Sequence, residues 1–402
     1  MGIEEQVRWL AICAIRKRGY MKYYRWHLLV FCLLRVLIAP FIKAFMGYSC
    51  EKIKGPYPPT IIIANHNTNL DPVLVALGFS GHMYFLGSEH AFRKNIWGKV
   101  LMRLCAPISI NKTQADTAAI KEILRRLKAG FNVCFFAEGN RSYNGETGPI
   151  PPATAKLVKL SGAALITYRL EGGYLTAPRW AKNKRKGKMA GTLAGQYSPA
   201  KLHDMSNEEV LKAIERDIHE NAYERQGEKL IRYRGKDLAE FIETALYLCP
   251  LCQSIGSIRS RGNYFFCACG FKAKYTKTGF LTGEALPFST ITAWDSWQVK
   301  KLAAIARDEA TELICADDDQ QLFRVQAARS SAFVGEGELQ MTRQELRCAG
   351  RIFPLEQIVR LAIVDRMTLM FSLRDGTHYE IRSAAPRNAL KYVEIFKTIQ
   401  SL

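Results

Sequence analysis

Short, largely apolar runs separated by amphipathic helical segments constrain the fold of this chain more than any other feature. Three of these runs predict strands: Thr60–Ala64, Val133–Phe136 and Ala164–Tyr168. None of them alternates apolar with polar residues, so each is expected to be buried on both faces. A helix is predicted between them, from Asp116 to Ala129. Strands that alternate with helices favour the α/β class, with a mostly parallel or mixed sheet flanked by helices.

An apolar segment precedes this region and is interrupted by one charge. Leu28–Leu34 and Val36–Ala39 lie on either side of Arg35, ahead of Pro40. A spanning helix needs about 20 apolar residues, and a central arginine costs about 2.5–3.5 kcal/mol on insertion scales. We therefore expect a helix that rests in one leaflet of a membrane; the alternative is a helix buried in the protein core. A first helix, with apolar positions from Ile3 to Ala14, is predicted before it.

The charge balance narrows the classes of partner. With 57 Lys and Arg against 37 Asp and Glu, the formal net charge is +20. Such a charge favours nucleic acid, a phospholipid surface or a phosphorylated substrate as partner. The sequence contains no recognisable nucleic-acid module, so nucleic acid is not expected. Eleven cysteines, an odd number, argue against a secreted disulfide scaffold and for a reducing compartment.

Two polar motifs follow the predicted strands. His66 and Asp71 come after the first strand, in a loop that could turn back to place the carboxylate against the imidazole, as in a general base with its orienting anion. The alternative is that Asp71 caps a helix and His66 is an ordinary loop residue. Glu138, Gly139 and Arg141 follow the Val133–Phe136 strand, where Arg141 offers a planar fork for phosphate; the alternative is a surface turn. Both motifs should open on the carboxyl edge of the sheet, where ligands bind in α/β folds.

Together, the two motifs resemble those of the glycerolipid acyltransferase family, typified by 1-acylglycerol-3-phosphate acyltransferase. That family carries a histidine, four residues and an aspartate, then a Glu-Gly-Thr-Arg block on a later strand. Asn140 stands here in place of the threonine. The resemblance implies that His66 and Asp71 are catalytic and that Glu138, Gly139, Arg141 and Lys112 bind substrate. Lys112 occupies the place of a phosphate-binding arginine of the family.

The resemblance also implies a reaction, substrates and a location. A fatty acyl group would pass from acyl-CoA or acyl carrier protein to the hydroxyl of lysophosphatidic acid, giving phosphatidic acid at the cytoplasmic face of a membrane, with no catalytic cofactor. The substitutions in the motifs leave the acceptor open: another lysophospholipid or a polyol is an alternative. A catalytically idle lipid-binding scaffold is the alternative from a different class.

A cysteine cluster follows. Two pairs, Cys249 with Cys252 and Cys267 with Cys269, are separated by fourteen residues that could form a hairpin. Four thiolates on two such turns suit a closed, tetrahedral structural zinc site in a zinc-ribbon-like module. Reduced core cysteines or a redox pair are the alternatives.

The chain is expected to comprise four segments. They are N-terminal membrane-associated helices (1–47), an acyltransferase domain (48–232), a zinc-ribbon-like module (233–285) and a C-terminal β-rich domain with a terminal helix (286–402). A capping box at Ser206 predicts a helix through about Gln226, and a second helix is predicted from Lys236 to Leu248. The C-terminal segment is compatible with a pleckstrin-like module that binds lipid or protein.

Overall fold

The structure, a computed structural model, describes residues 21–54, 59–88, 100, 104–110, 117–227, 230–284, 286–326 and 331–401. The helix predicted from Ile3 to Ala14 lies outside the described residues. The chain divides into two compact units. The first comprises Met1–Asn111, Asp116–Ala177 and Lys186–Arg225, and the second comprises Lys112–Ala115, Pro178–Arg185 and Gln226–Leu402.

The first unit contains a seven-stranded sheet with helices packed against it, which confirms the predicted α/β class. Its strands are β1 (Tyr48–Cys50), β2 (Thr60–Ala64), β3 (Met83–Ser88), β4 (Ile108–Ile110), β5 (Asn132–Phe136), β6 (Ala164–Glu171) and β7 (Met189–Tyr197). Their spatial order is β1-β7-β6-β2-β5-β3-β4. The five strands from β6 to β4 are parallel to one another, and β7 runs antiparallel to β6. The sheet is therefore mixed, with a parallel centre.

Helices cover both faces of this sheet. They are α1 (Met21–Met46), α2 (Asp71–Gly78), α3 (Thr117–Lys128), α4 (Ala153–Ser161), α5 (Gly173–Thr176), α6 (Pro199–Asp204) and α7 (Asn207–Ile218). Ile61 and Ile63 of β2 belong to one core with α3, α4 and α7. Ile62 and Ala64 belong to a second core with α1 and α2. This two-sided burial is the reason that β2 is apolar at every central position.

Helix α1 packs on one face and leaves the other exposed. Val30, Ile42 and Met46 are buried in the core of the first unit. The opposite face carries seven large apolar side chains that are 49–73% exposed: Trp26, Leu29, Leu33, Val36, Leu37, Phe41 and Phe45. Arg35 donates from Nη1 to the backbone oxygen of Ser80 at 3.4 Å. The single charge in the apolar segment is thus directed to the protein.

The second unit begins with a small antiparallel sheet beside the cysteines. Its strands are β8 (Arg259–Arg261), β9 (Tyr264–Phe266), β10 (Lys272–Tyr275) and β11 (Leu281–Thr282), in the order β11-β10-β9-β8. Helix α8 (Ile291–Arg307) follows. Phe265 and Phe271 contact Trp294 of α8 with ring centroids 5.9 and 5.6 Å apart. The small sheet thus shares an aromatic core with this helix.

The remainder of the second unit is a seven-stranded antiparallel sheet followed by a helix. The strands are β12 (Leu313–Val325), β13 (Ser331–Thr342), β14 (Glu345–Cys348), β15 (Arg351–Pro354), β16 (Ile358–Val364), β17 (Thr368–Leu373) and β18 (His378–Ser383). Their order is β15-β14-β13-β12-β18-β17-β16, and helix α9 (Leu390–Gln400) ends the element order. The β-rich character and the terminal helix agree with the expectation for this region.

Two predicted helices differ from the structure. The helix after Ser206 has the predicted capping box but ends at Ile218, eight residues early. The segment from Lys236 to Leu248 contains one short 3-10 turn, Ile242–Thr244, in place of a helix. In that segment Leu238 donates from its backbone to Asn263 Oδ1, and Phe241 donates to Ser260 Oγ. Ser260 lies in β8 and Asn263 in the turn between β8 and β9. This β8–β9 hairpin therefore supplies hydrogen-bond acceptors that the preceding turn of a helix would otherwise have supplied.

Candidate active site

The loops after β2 and β5 carry the two motifs, and the sheet brings them together. The strands are parallel neighbours, with Ala64 opposite Phe136 at their carboxyl ends. His66 and Glu138 therefore follow their strands at equal distances and lie at the same edge. This is the edge at which parallel sheets bind ligands.

His66 and Asp71 form a hydrogen-bonded pair, with His66 Nδ1 2.8 Å from Asp71 Oδ2. The Asp71 side chain is fully buried, whereas the His66 side chain is 21% exposed. The imidazole stacks on Phe136, with ring centroids 4.4 Å apart and planes inclined by 19°. Because Nδ1 faces the carboxylate, Nε2 is the ring nitrogen oriented to exchange a proton with a substrate.

Asp71 also holds the loop that carries His66. Its Oδ2 accepts hydrogen bonds from the backbone nitrogens of Asn67 (2.6 Å) and Thr68 (2.8 Å), and its Oδ1 accepts one from Thr68 Oγ1 at 2.6 Å. The alternative role as a helix cap does not apply, because Leu70 is the N-cap of α2 and Asp71 is its first helical residue. The carboxylate instead closes the loop and orients the imidazole.

Glu138 fixes the backbone of His66 from the other motif. Its Oε1 accepts a hydrogen bond from the His66 backbone nitrogen at 2.6 Å, and its Oε2 accepts one from Gly148 at 2.7 Å. Burial raises the pKa of Glu138 to about 8, against the opposing effect of the two backbone donors. In this structure the partly buried Glu138 side chain thus connects two loops.

The turn after Glu138 explains the glycine of the second motif. Gly139 has φ of 70°, a left-handed conformation that glycine adopts without steric cost. Its backbone nitrogen donates to the oxygen of Phe136 at 3.2 Å, so this amide is used within the turn. Arg141 comes next and is partly exposed. Ser142 then donates from its backbone to the His66 oxygen at 2.9 Å, which places the chain around Arg141 beside His66.

A second buried carboxylate, Glu220, supports the same loop and was not found from the sequence. Its Oε2 accepts from Asn67 Nδ2 at 2.6 Å, and its Oε1 accepts from the backbone nitrogen of Gly172 at 2.8 Å. Thr147 ties it to the Gly148 loop, because the Thr147 backbone donates to the Glu220 oxygen at 2.9 Å. Burial raises the pKa of Glu220 to about 7. Glu220 lies 82 residues after Glu138 in the chain and in no motif, so only the fold reveals it.

The remaining predicted residue of this site, Lys112, lies outside the described residues. The structure thus brings together the side chains of His66, Asp71 and Glu138 with the turn at Gly139 and the backbone beside Arg141. Their individual roles in catalysis and substrate binding stay predictions.

Glu138 and Glu220 predict a pH dependence of stability. Their pKa values, about 8 for Glu138 and about 7 for Glu220, exceed the ordinary 4.5. The folded chain therefore keeps protons that the unfolded chain has lost, so the free energy of unfolding falls as pH rises from about 4.5 through about 8. Glutamine cannot titrate, so in the Glu220→Gln variant we expect the free energy of unfolding to fall less between about pH 5 and 7. Urea unfolding at a series of pH values measures this difference. An unchanged or steeper fall in the variant would contradict this prediction.

The four predicted metal ligands also come together. Cys249, Cys252, Cys267 and Cys269 have sulfur atoms that all lie within 4.8 Å of one another, so they could hold a metal ion. The Sγ atoms of Cys249 and Cys269 are 3.7 Å apart, as are those of Cys252 and Cys267. Four thiolates placed about 2.3 Å from a tetrahedral zinc ion would lie about 3.8 Å from one another. The four sulfur atoms are therefore close enough to one another to share one metal ion.

Comparison with known proteins points to one family. Residues 50–171 match the model of the Acyltransferase family. The chloroplastic 1-acyl-sn-glycerol-3-phosphate acyltransferase of Arabidopsis thaliana is 24% identical over 139 residues, which cover 34% of this chain and 38% of that protein. The chain thus matches less than half the length of this relative.

A solved structure is similar over a larger part of the chain. The crystal structure of the 1-acyl-sn-glycerophosphate acyltransferase PlsC from Thermotoga maritima covers 55% of this chain and 98% of its own, with 19% identity and a TM-score of 0.39. The matched family segment, residues 50–171, contains both motifs described above. Residues 50–171 therefore match an acyltransferase domain, and the comparisons support a glycerolipid acyltransferase family for this part of the chain.

Proposed function

We propose that this protein transfers a fatty acyl group from an acyl thioester to the hydroxyl of lysophosphatidic acid, giving phosphatidic acid. The observation that carries the proposal is the 2.8 Å contact between His66 Nδ1 and the buried Asp71 carboxylate at the carboxyl edge of the sheet. The similarity to a 1-acyl-sn-glycerol-3-phosphate acyltransferase supports this acceptor. An intact base with its orienting carboxylate favours an enzyme over a catalytically idle scaffold.

The proposed chemistry needs one mobile proton. His66 Nε2 removes the proton of the acceptor hydroxyl, and the oxygen attacks the thioester carbonyl. Asp71 holds Nδ1 in the required tautomer and stabilises the imidazolium that forms. When the tetrahedral intermediate collapses, the carbon–sulfur bond breaks and the imidazolium returns the proton to the leaving thiolate. The nucleophile belongs to the substrate, so the chain itself needs none.

Recognition of the acceptor phosphate is assigned to the cationic residues of the motifs. Arg141 follows the turn next to the His66 loop, and its guanidinium can bind two phosphate oxygens at once. Lys112 would add a second positive charge. Glu138 and Gly139 shape this side of the site through the backbone contact to His66 and the left-handed turn.

Helix α1 supports the proposal that the enzyme works on a membrane surface. By length and composition, residues Tyr24–Met46 would be sufficient to cross a bilayer. One face of the helix is nevertheless packed on the protein, and the other exposes the seven apolar side chains from Trp26 to Phe45. A helix with one protein-facing side and one apolar exposed side is suited to lie in a single leaflet. We propose this monotopic arrangement, on the cytoplasmic side.

We further propose that the four cysteines hold a structural zinc ion. A set of four thiolates leaves no coordination position for substrate, so the ion would support the fold and take no part in acyl transfer.

Removal of this metal should destabilise the second unit. We expect one zinc per chain in protein purified without chelator, and a fall in thermal unfolding temperature of several degrees after chelation. The reason is that the free energy of metal binding adds to the free energy of folding. Cys249→Ser should lose the zinc, whereas Cys134→Ser, which removes a buried cysteine from β5, should retain it. Protein without zinc before chelation would contradict the assignment.

The acceptor is tested with purified protein in mixed micelles. Wild-type enzyme receives acyl-CoA or acyl carrier protein as donor and a panel of acceptors: lysophosphatidic acid, other lysophospholipids and glycerol. We expect phosphatidic acid to form at the highest kcat/KM. Preference for another acceptor would leave the proposed acyl transfer standing, but it would show that lysophosphatidic acid is not the acceptor. Inactivity with every acceptor and both donors would favour the scaffold alternative.

A further inference from the structure

The small sheet of the second unit carries a regular arrangement of cations around two aromatic rings. The antiparallel register sets six side chains in two rows: Arg259, Phe266 and Lys272, then Arg261, Tyr264 and Lys274. Residues paired directly across neighbouring strands project to the same side of a sheet. The two aromatic residues are two positions apart on β9, so both rows lie on one side. We call these six side chains the basic–aromatic face.

The basic–aromatic face is exposed, although the opposite face is buried. Tyr264 is 43% and Phe266 is 39% exposed, whereas Phe265 between them is fully buried. All four cationic side chains are exposed as well. Because Phe265 alone provides the core contact of β9, the two outward rings add nothing to this core. Adjacent exposed aromatic residues on one face are typical of an interaction surface.

The small sheet itself supplies no negative charge to this face. The four strands of the sheet contain no acidic residue. Among the described residues, none of the four cations belongs to an ion pair. Arg259 donates from Nη1 to the backbone oxygens of Gly256 (2.6 Å) and Ile258 (2.8 Å), contacts that hold the guanidinium without cancelling its charge. Glu243 interacts electrostatically with Arg259 but is buried, so it lies off the exposed surface of the face.

We propose that the basic–aromatic face docks on the headgroup region of a membrane that contains anionic phospholipid. Clustered lysine and arginine side chains are attracted to an anionic leaflet, and aromatic rings favour the interface between headgroups and acyl chains. The choice of a lipid surface over other polyanions rests on the proposed function, since an enzyme for lysophospholipids works at such a surface. The face would thus provide a second membrane contact, separate in sequence from α1.

Single-stranded nucleic acid is the competing polyanion, because bases stack on exposed aromatic rings flanked by cations. The positions of the lysines make it the weaker candidate. The Nζ atoms of Lys272 and Lys274 lie over the Tyr264 ring, 5.2 and 5.6 Å from its centroid. A base stacked on Tyr264 would have to displace them, whereas phosphate headgroups can bind the ammonium groups where they are.

The test measures vesicle binding of the full chain without donor or acceptor, so its result does not depend on acyl transfer. The variant replaces all four cations of the face by glutamine: Arg259, Arg261, Lys272 and Lys274. The control replaces four exposed helical lysines by glutamine: Lys156, Lys212, Lys300 and Lys301. Both lose the same charge and retain α1, and a zinc assay shows whether the small sheet remains folded. Vesicles are phosphatidylcholine alone, or three parts phosphatidylcholine to one part phosphatidylglycerol.

We expect the face variant to bind anionic vesicles at least about tenfold more weakly than wild type, and the control to bind nearly as well as wild type. Binding to phosphatidylcholine alone should be the same for all three proteins. Equal losses in the face variant and in the control would overturn the proposal, because total charge would then suffice. Unchanged vesicle binding would also overturn it. If the face variant then lost affinity for a labelled single-stranded oligonucleotide, the face would be assigned to nucleic acid instead.

Discussion

Replacing His66 by alanine should reduce kcat for acyl transfer by about 10²–10⁴-fold, the usual contribution of a general base. The side chain that is lost is partly exposed, and its ring contacts Asp71 and Phe136. The fold should therefore tolerate the change, with little shift in unfolding temperature. Initial rates at saturating donor and acceptor, measured with the thermal unfolding curve of the same preparation, test this prediction.

A second histidine offers a matched control. His203 also lies beside an aspartate, with Nδ1 3.3 Å from Asp204 Oδ1, but its side chain is 89% exposed. His203→Ala should leave kcat unchanged. If His66→Ala retained more than half of the wild-type rate, the base would have to be another group and the proposed mechanism would be wrong.

Replacing Glu220 by alanine should have the second largest effect, a fall in kcat of about 10–100-fold with a smaller change in KM. The substitution removes the acceptor of the Gly172 N–H and one of the two acceptors of the buried Asn67 amide, which keeps its contact to the Leu170 oxygen. An unsatisfied buried donor costs about 1–3 kcal/mol, which the loop can relieve by moving. Because Asn67 adjoins His66, such a movement displaces the imidazole, and a small displacement is costly in catalysis. Glu220 would thus act as a positioning residue for His66.

Two further variants separate positioning from general stability. Glu220→Gln keeps an oxygen that can accept one of the two hydrogen bonds and should recover part of kcat. Glu224→Ala removes an exposed carboxylate four residues away and should change neither kcat nor stability. If Glu220→Ala lowered the unfolding temperature while kcat stayed at the wild-type value, Glu220 would support the fold alone.

The α/β fold and the location of the site could be predicted from local patterns. Thr60–Ala64 and the strand ending at Phe136 are apolar at nearly every position because helices cover both faces of the sheet. That feature predicts parallel strands, and parallel strands place His66 and Glu138 at one edge. The pairing of Ala64 with Phe136 confirms this step. The cysteine spacing likewise predicted a cluster whose four sulfur atoms lie close together.

Interactions between distant segments could not be predicted in the same way. Lys236–Leu248 has the composition of a helix, but Asn263 and Ser260 accept hydrogen bonds from its backbone and hold it irregular. Glu220 follows a charged helix, where an exposed carboxylate is the ordinary expectation. Its burial depends on Asn67 and Gly172, which lie 153 and 48 residues away. Sequence periodicity carries no information on such contacts.

The exposed surfaces also depend on contacts between segments that the sequence does not reveal. The apolar run around Arg35 indicated a membrane helix, but the direction of the charge follows from its contact with Ser80. The basic–aromatic face combines three strands, and its six residues become one surface through the register of β8, β9 and β10. In the sequence, the same residues are isolated charges and rings.

A double-mutant cycle on His66 and Asp71 tests the central claim, that the carboxylate acts through the imidazole, most directly. Asp71→Asn alone should lower kcat by about 10²-fold or more, because the imidazole loses its orienting partner. In the His66→Ala background the same substitution should cost almost nothing, since groups that act as one unit are not additive. Equal losses in both backgrounds would mean that Asp71 serves only to close the loop, and would contradict the proposed base.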